Sequence, residues 1–194
     1  MQNKGEDFLA VYESVNPGQR AKVPVLEIDG VVLTESLVTV EYLAERSGPG
    51  PFFLEDPARR ASARLMNEVQ PFGNYFRFLK VKDDAEKLAE EVRGFEESVA
   101  NFERFLSVHG DGDGPFLCGS DMCFAEANMA PFVQRIIPTL KHYCDVDVRA
   151  ICAESPRVAR LVDAILDRAS VKKTGVPDVD LIANMDKMLA RFAT

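Results

Sequence analysis

The run Lys22-Val23-Pro24-Val25-Leu26-Glu27-Ile28-Asp29-Gly30-Val31-Val32-Leu33-Thr34-Glu35-Ser36 constrains the fold more than any other stretch. Two short β-branched segments flank Asp29-Gly30. That dipeptide suits a two-residue type I′ turn, because both central residues need φ > 0. The pattern therefore predicts a β-hairpin. Its first strand opens on Val23-Pro24. Proline donates nothing to a ladder and so fits a strand's first residue. In a tight turn an X-Pro bond also admits the cis form at about 0.5–1 kcal/mol. The second strand ends at Glu35-Ser36, where helical spacing begins, and Ser36 is the expected N-cap. A helix N-terminus offers free N–H groups and partial positive charge, a seat for a carboxylate. Glu35 beside it is suited to an ammonium. The two together form a two-pole receptor for a free amino-acid head.

The chain has 194 residues, enough for one or two domains. With 46% hydrophobic and 28% charged residues it has the balance of a chain that buries a core. A net charge of −8 argues against a nucleic-acid partner, since phosphate binding needs clustered Lys and Arg. No apolar run approaches the ~20 residues that span a bilayer, and the opening residues lack an apolar signal core. Four cysteines without a close-set framework point to reduced thiols in a cytoplasmic setting.

Phe8 to Tyr12 reads as a helix ending before Asn16-Pro17, with Tyr12 on its packed face. Leu37, Val40, Leu43 and Ala44 recur at helical spacing. Pro49-Gly50-Pro51 breaks the chain and marks the expected boundary: residues 1–48, a linker at 49–55, and residues 56–194. After it every segment is helical. Asp56-Pro57 gives an N-cap and N1 proline, followed by the stripe Ala61, Leu65, Val69, Phe72, Phe76, Leu79, with a kink expected at Pro71. Leu88, Val92, Phe95, Val99, Phe102 and Leu106 form the cleanest bundle stripe. Gly110 to Pro115 reads as a flexible loop without the spacing or closing Glu of a calcium loop. Ala125, Met129, Phe132, Ile136 and Leu140 carry a further helix bent by Pro131 and Pro138. Ser155-Pro156 caps another. Pro177-Asp178 starts the last, through Leu181, Met185, Met188, Leu189 and Phe192. His142, Cys118, Cys144 and Cys152 lack metal-ligand spacing, so no metal site is expected.

The hairpin run, with Asn16-Pro17-Gly18 before it and Glu41-Tyr42-Leu43 after it, resembles the glutathione-binding half of the thioredoxin-like domain in glutathione S-transferases. The likeness is greatest to the omega and zeta classes and related thiol-dependent reductases. It implies an α+β, mostly α chain: a truncated thioredoxin-like piece (helix, β-hairpin, helix) followed by an all-helical C-terminal domain. It implies glutathione as co-substrate, no metal, and a small electrophile or disulfide as second substrate. Lys22 would lie beside the glutathione backbone, Val23 before Pro24 would pair with it, and Glu35 and Ser36 would hold the γ-glutamyl group. Phe72, Tyr75 and Phe76 would line the second-substrate pocket, and a homodimer is the default. In the family the catalytic Cys, Ser or Tyr ends the first strand of a βαβ unit of roughly 30 residues. Only a few residues precede Phe8, so no catalytic residue is assigned. The expected activity is glutathione conjugation or thiol-disulfide reduction in the complete form. The alternative is a non-catalytic interaction module.

The resemblance also bears on Gly119 to Glu126. There the family places a hydroxyl N-cap and an acid three residues on. Cys123 stands at the first position and Glu126 at the second. Glu still closes a capping box, but sulfur accepts poorly, so a weaker helix start or capping by Ser120 is expected. A helix N-terminus lowers a thiol's pKa, which makes Cys123 a substitute nucleophile to be weighed against a small buried residue, the favoured reading.

Overall fold

The computed structural model describes residues 4–190. Helix α1 (Glu6–Val15) leads into the antiparallel strands β1 (Val25–Ile28) and β2 (Val31–Thr34), followed by α2 (Ser36–Arg46). The hairpin pairs Val25 with Thr34 through Ile28 with Val31. Asp29 and Gly30 take φ of 50° and 77°, as a type I′ turn requires. Arg46 at the end of α2 pairs with Asp29 and holds the turn against that helix. Tyr12 is buried under the hairpin, whereas Leu43 of α2 is exposed and Thr39 and Ala44 take the packed face.

The remaining described residues form helices α3 (Pro57–Val69), α4 (Tyr75–Val81), α5 (Ala85–His109), α6 (Phe124–Cys144), α7 (Val148–Ala153), α8 (Pro156–Asp167), α9 (Ala169–Thr174) and α10 (Asp178–Leu189). Phe192, expected on the last helix, lies outside the described residues. The kink expected at Pro71 is a full break. Gln70 turns extended at ψ 138° before the proline, and a 3-10 turn (Pro71–Asn74) separates α3 from α4. Gln70 Oε1 accepts the Phe72 N–H at 2.9 Å, which secures the turn.

The core sits around α6, whose Met129, Val133, Ile136 and Leu140 are fully buried. It packs against α2, α3, α4, α8 and α10. From α5 come Phe95, Val99, Phe102 and Leu106, as their spacing predicts. Burying each such side chain contributes about 1.5–3 kcal/mol before entropy is counted. Glu41 of α2 and Arg64 of α3 form a two-pronged pair (Nε to the carboxylate oxygens at 2.9 and 3.1 Å) that links the hairpin unit to the bundle.

Ser155 occupies the N-cap of α8, but its side chain does not bond the helix. Glu103 of α5 does that work: its carboxylate accepts the N–H groups of Arg157 (3.0 Å) and Val158 (2.9 Å). A carboxylate satisfies the free donors and meets the positive end of the helix. No local pattern announces a cap supplied 54 residues upstream.

Candidate functional site

The site grows from the open end of the hairpin. The Val23-Pro24 bond is cis. The last ladder pair is Val25 with Thr34, and Lys22-Val23-Pro24 and Glu35-Ser36 are the chain segments that flank it. The hairpin thus gathers all five predicted residues at one end, where Lys22, Val23, Pro24, Glu35 and Ser36 are all exposed. Val23 lies outside the paired register, two residues before the strand proper.

Glu35, not Ser36, is the N-cap of α2. Its φ of 67° is unusual for a residue with a side chain and costs on the order of 1–3 kcal/mol. Thr39 holds that conformation in place. Its N–H donates to the Glu35 carbonyl at 3.0 Å, and its Oγ1 donates to the same oxygen at 2.8 Å. The carbonyl is thereby directed along α2, and Ser36 becomes the first helical residue. Sequence reasoning misplaced the cap by one because it assumed the usual extended N-cap backbone. Thr39 was missed altogether. An oxygen-bearing side chain four residues after a strained N-cap was the available signal.

The exposed Glu35 carboxylate carries negative charge directly before α2, an eleven-residue helix whose start, at Ser36, carries partial positive charge.

Tyr75 and Phe76, stacked with ring centroids 4.3 Å apart, line a cleft of about 660 Å³ between α4, α6 and α10. Gln134, Arg135, Leu181, Met185 and Met188 complete much of its wall. Phe72 does not belong to it. That ring is fully buried, edge-on to Phe95 and Phe102 at 6.3 Å each, because the break at Pro71 turns it into the core. The contribution of α10 was missed because Leu181, Met185 and Met188 have the spacing of an ordinary core stripe. Tyr143 of α6 holds α10 in place by donating to Asp186 Oδ1 at 2.6 Å.

Cys123 is the N-cap of α6 and is buried. Glu126 beneath it accepts the Cys123 N–H at 3.0 Å and the Leu117 N–H at 2.7 Å, so its carboxyl closes the helix start and the preceding turn together. The helix start is therefore not handed to Ser120. Contact with the Cys118 thiol, burial and the Glu126 charge push the Cys123 thiol up, against the pull of the helix N-terminus. It is the small buried residue, not an activated nucleophile.

Residues 73–174 match the family model described as "Glutathione S-transferase, C-terminal domain", and residues 1–46 match "Glutathione S-transferase, N-terminal domain". The chain belongs to the glutathione S-transferase family. A probable maleylacetoacetate isomerase of Caenorhabditis elegans is 31% identical over 139 residues, 66% of this chain and 61% of that protein. Mouse glutathione S-transferase omega-1 is 34% identical over 102 residues, 48% of this chain and 41% of that protein. The crystal structure of the tau-class transferase from mango shares the fold at a TM-score of 0.72 and 24% identity, covering 97% of this chain and 83% of that one. The chain spans about three-fifths of the length of the maleylacetoacetate isomerases it matches.

Proposed function

We propose that this chain binds glutathione at the open end of the hairpin and serves glutathione conjugation or glutathione-dependent thiol-disulfide reduction. The observation that carries this reading is the strained Glu35 backbone, fixed by Thr39, directly before the start of α2. Strain of this kind persists where the surroundings impose it, and it concentrates at ligand sites. Glu35 takes the γ-glutamyl ammonium, and Ser36 with the first N–H groups of α2 takes its carboxylate. Val23 offers its backbone to the cysteinyl part, and Lys22 adds positive charge beside it. The cleft at Tyr75 and Phe76 takes the apolar body of the second substrate. Glutathione supplies the reacting thiol; the residues of this chain bind and orient it.

A homodimer in the cytoplasm is part of the same reading. Exposed Leu65 and Val69 on α3, together with Val31 on the hairpin, give it apolar surface to bury. Sedimentation at the monomer mass would remove that part.

The test is a calorimetric titration of glutathione with Glu35→Gln as control, followed by turnover assays with an activated chloroarene and a small symmetrical disulfide. Saturable binding weakened at least tenfold in the variant supports the site. Binding without turnover leaves the interaction module as the better description. Absence of binding at millimolar glutathione refutes the reading.

A further inference from the structure

The cleft between α4, α6 and α10 carries a charge that the fold does not use. Its floor is aromatic. Phe76 is 41% exposed although it stacks on Tyr75, which is 3% exposed. A ring backed by a buried ring and open to a cleft is a platform for a flat apolar group. On α10, Leu181, Met185 and Met188 recur at four and three residues and present one apolar face to the same space. The polar groups of the wall divide in two. Gln134 Nε2 donates to the Val171 carbonyl at 3.1 Å, and Thr174 Oγ1 to the Ser170 carbonyl at 2.9 Å, so both donors are engaged within the protein. Arg135 differs. Among the described residues that line the cleft it alone is charged. It is exposed and has no ion-pair partner among the described residues. Its guanidinium carbon stands 5.7 Å from the ring centroid of Phe132, three residues back on α6. That contact holds the guanidinium by its face, and its N–H donors, which lie in its plane, stay available.

We propose that this cleft selects apolar carboxylates and that Arg135 is its specificity-determining residue. The apolar body of the ligand lies on Phe76 and the α10 side chains, and its carboxylate pairs with Arg135. A planar guanidinium receives a carboxylate through two parallel N–H bonds. The rest of the chain makes this one cation decisive. With a net charge of −8 the protein repels an organic anion at long range. A cation without a counter-ion, flanked by apolar side chains, reverses that preference within the cleft. The inference rests on the reading of this cleft as the second-substrate pocket and narrows it: the second substrate is an amphipathic organic acid, a carboxylate joined to an apolar body that carries the reacting group. A neutral molecule of the same shape fills the same apolar space but forgoes the ion pair, so discrimination is by charge and not by size.

The test compares 2-naphthoate with 2-naphthamide, alike in shape and different in charge. Each is titrated by calorimetry into the wild-type chain, Arg135→Gln, Arg135→Lys and Phe76→Ala. Wild type should bind the naphthoate about tenfold more tightly than the amide, as one charge-assisted contact provides. High salt should narrow that gap. Arg135→Gln should bind the two alike with its affinity for the amide unchanged, Arg135→Lys should keep part of the preference, and Phe76→Ala should weaken both ligands. Equal affinities in wild type, or a preference that survives Arg135→Gln, overturn the role of Arg135. Naphthoate binding unmoved by Phe76→Ala puts the ligand elsewhere and overturns the site, as does absence of binding by either ligand at millimolar concentration. Turnover with glutathione and an activated chloroarene separates the second-substrate assignment from the anion site. Naphthoate should compete with the chloroarene and not with glutathione. Charge-selective binding without that competition supports the role of Arg135 and overturns the second-substrate assignment alone.

Discussion

Replacing Glu35 by glycine and by alanine separates the backbone of the site from its chemistry. Both variants lose the carboxylate. Alanine keeps a Cβ at φ 67°, whereas glycine occupies that region freely. The strain is on the order of 1–3 kcal/mol. Glycine returns roughly 0.5–1 kcal/mol of this through the greater freedom of its unfolded chain. Glu35→Gly should therefore be about 0.5–2 kcal/mol more stable than Glu35→Ala, the reverse of the order found inside helices. For a chain of this size that is a melting-temperature difference of about 1–8 °C. Urea midpoints at constant slope measure the same quantity. Glutathione at a hundred times its dissociation constant should raise wild-type stability by about 2.7 kcal/mol and leave both variants nearly unmoved. Alanine equal to or more stable than glycine would refute the claim that the surrounding fold imposes this conformation. A glutathione shift that survives in both would refute the role of the carboxylate.

Two further perturbations test the helical part. Glu126→Gln keeps the shape but turns an N–H₂ toward either Leu117 N–H or Cys123 N–H, and should cost about 1–3 kcal/mol in chemical denaturation. Burial raises the Glu126 carboxyl above the usual carboxylate range. Its contribution is thus complete below the unfolded value and declines as pH rises through the folded one, so the wild-type advantage over Glu126→Gln should shrink from mildly acidic to neutral pH. Tyr143→Phe should lower the melting temperature by roughly 2–4 °C, the equivalent of about 1 kcal/mol, by freeing α10 from α6. Desolvation first, then the bond to Asp186, pushes the Tyr143 hydroxyl up to about 12. The wild-type advantage should hold below the ordinary tyrosine value and vanish as pH climbs toward 12.

What the sequence made legible follows from the range of the interactions involved. The hairpin, its turn and the α5 stripe were readable because each is set by near neighbours: φ at Asp29 and Gly30, and a three-four repeat from Leu88 to Leu106. Lys22, Val23, Pro24, Glu35 and Ser36 share one end of the hairpin because they flank its last paired residues, Val25 and Thr34. The misses share a different cause. Phe72 left the cleft because a proline converts a continuous stripe into two helices facing different ways, and periodicity alone does not give the new direction. Ser36 yielded the N-cap to Glu35 because tertiary packing and Thr39 sustain a backbone that local preference disfavours.

The carboxylate of Glu103 also has a bearing on how the chain assembles. It sits in the latter half of α5 and fixes the first turn of α8, so the template for α8 is synthesised well before the helix it positions. A chain emerging from its N-terminal side meets a finished docking point. A rearranged chain in which α8 preceded α5 would have to wait for its anchor, with the start of α8 open to alternative registers in the meantime.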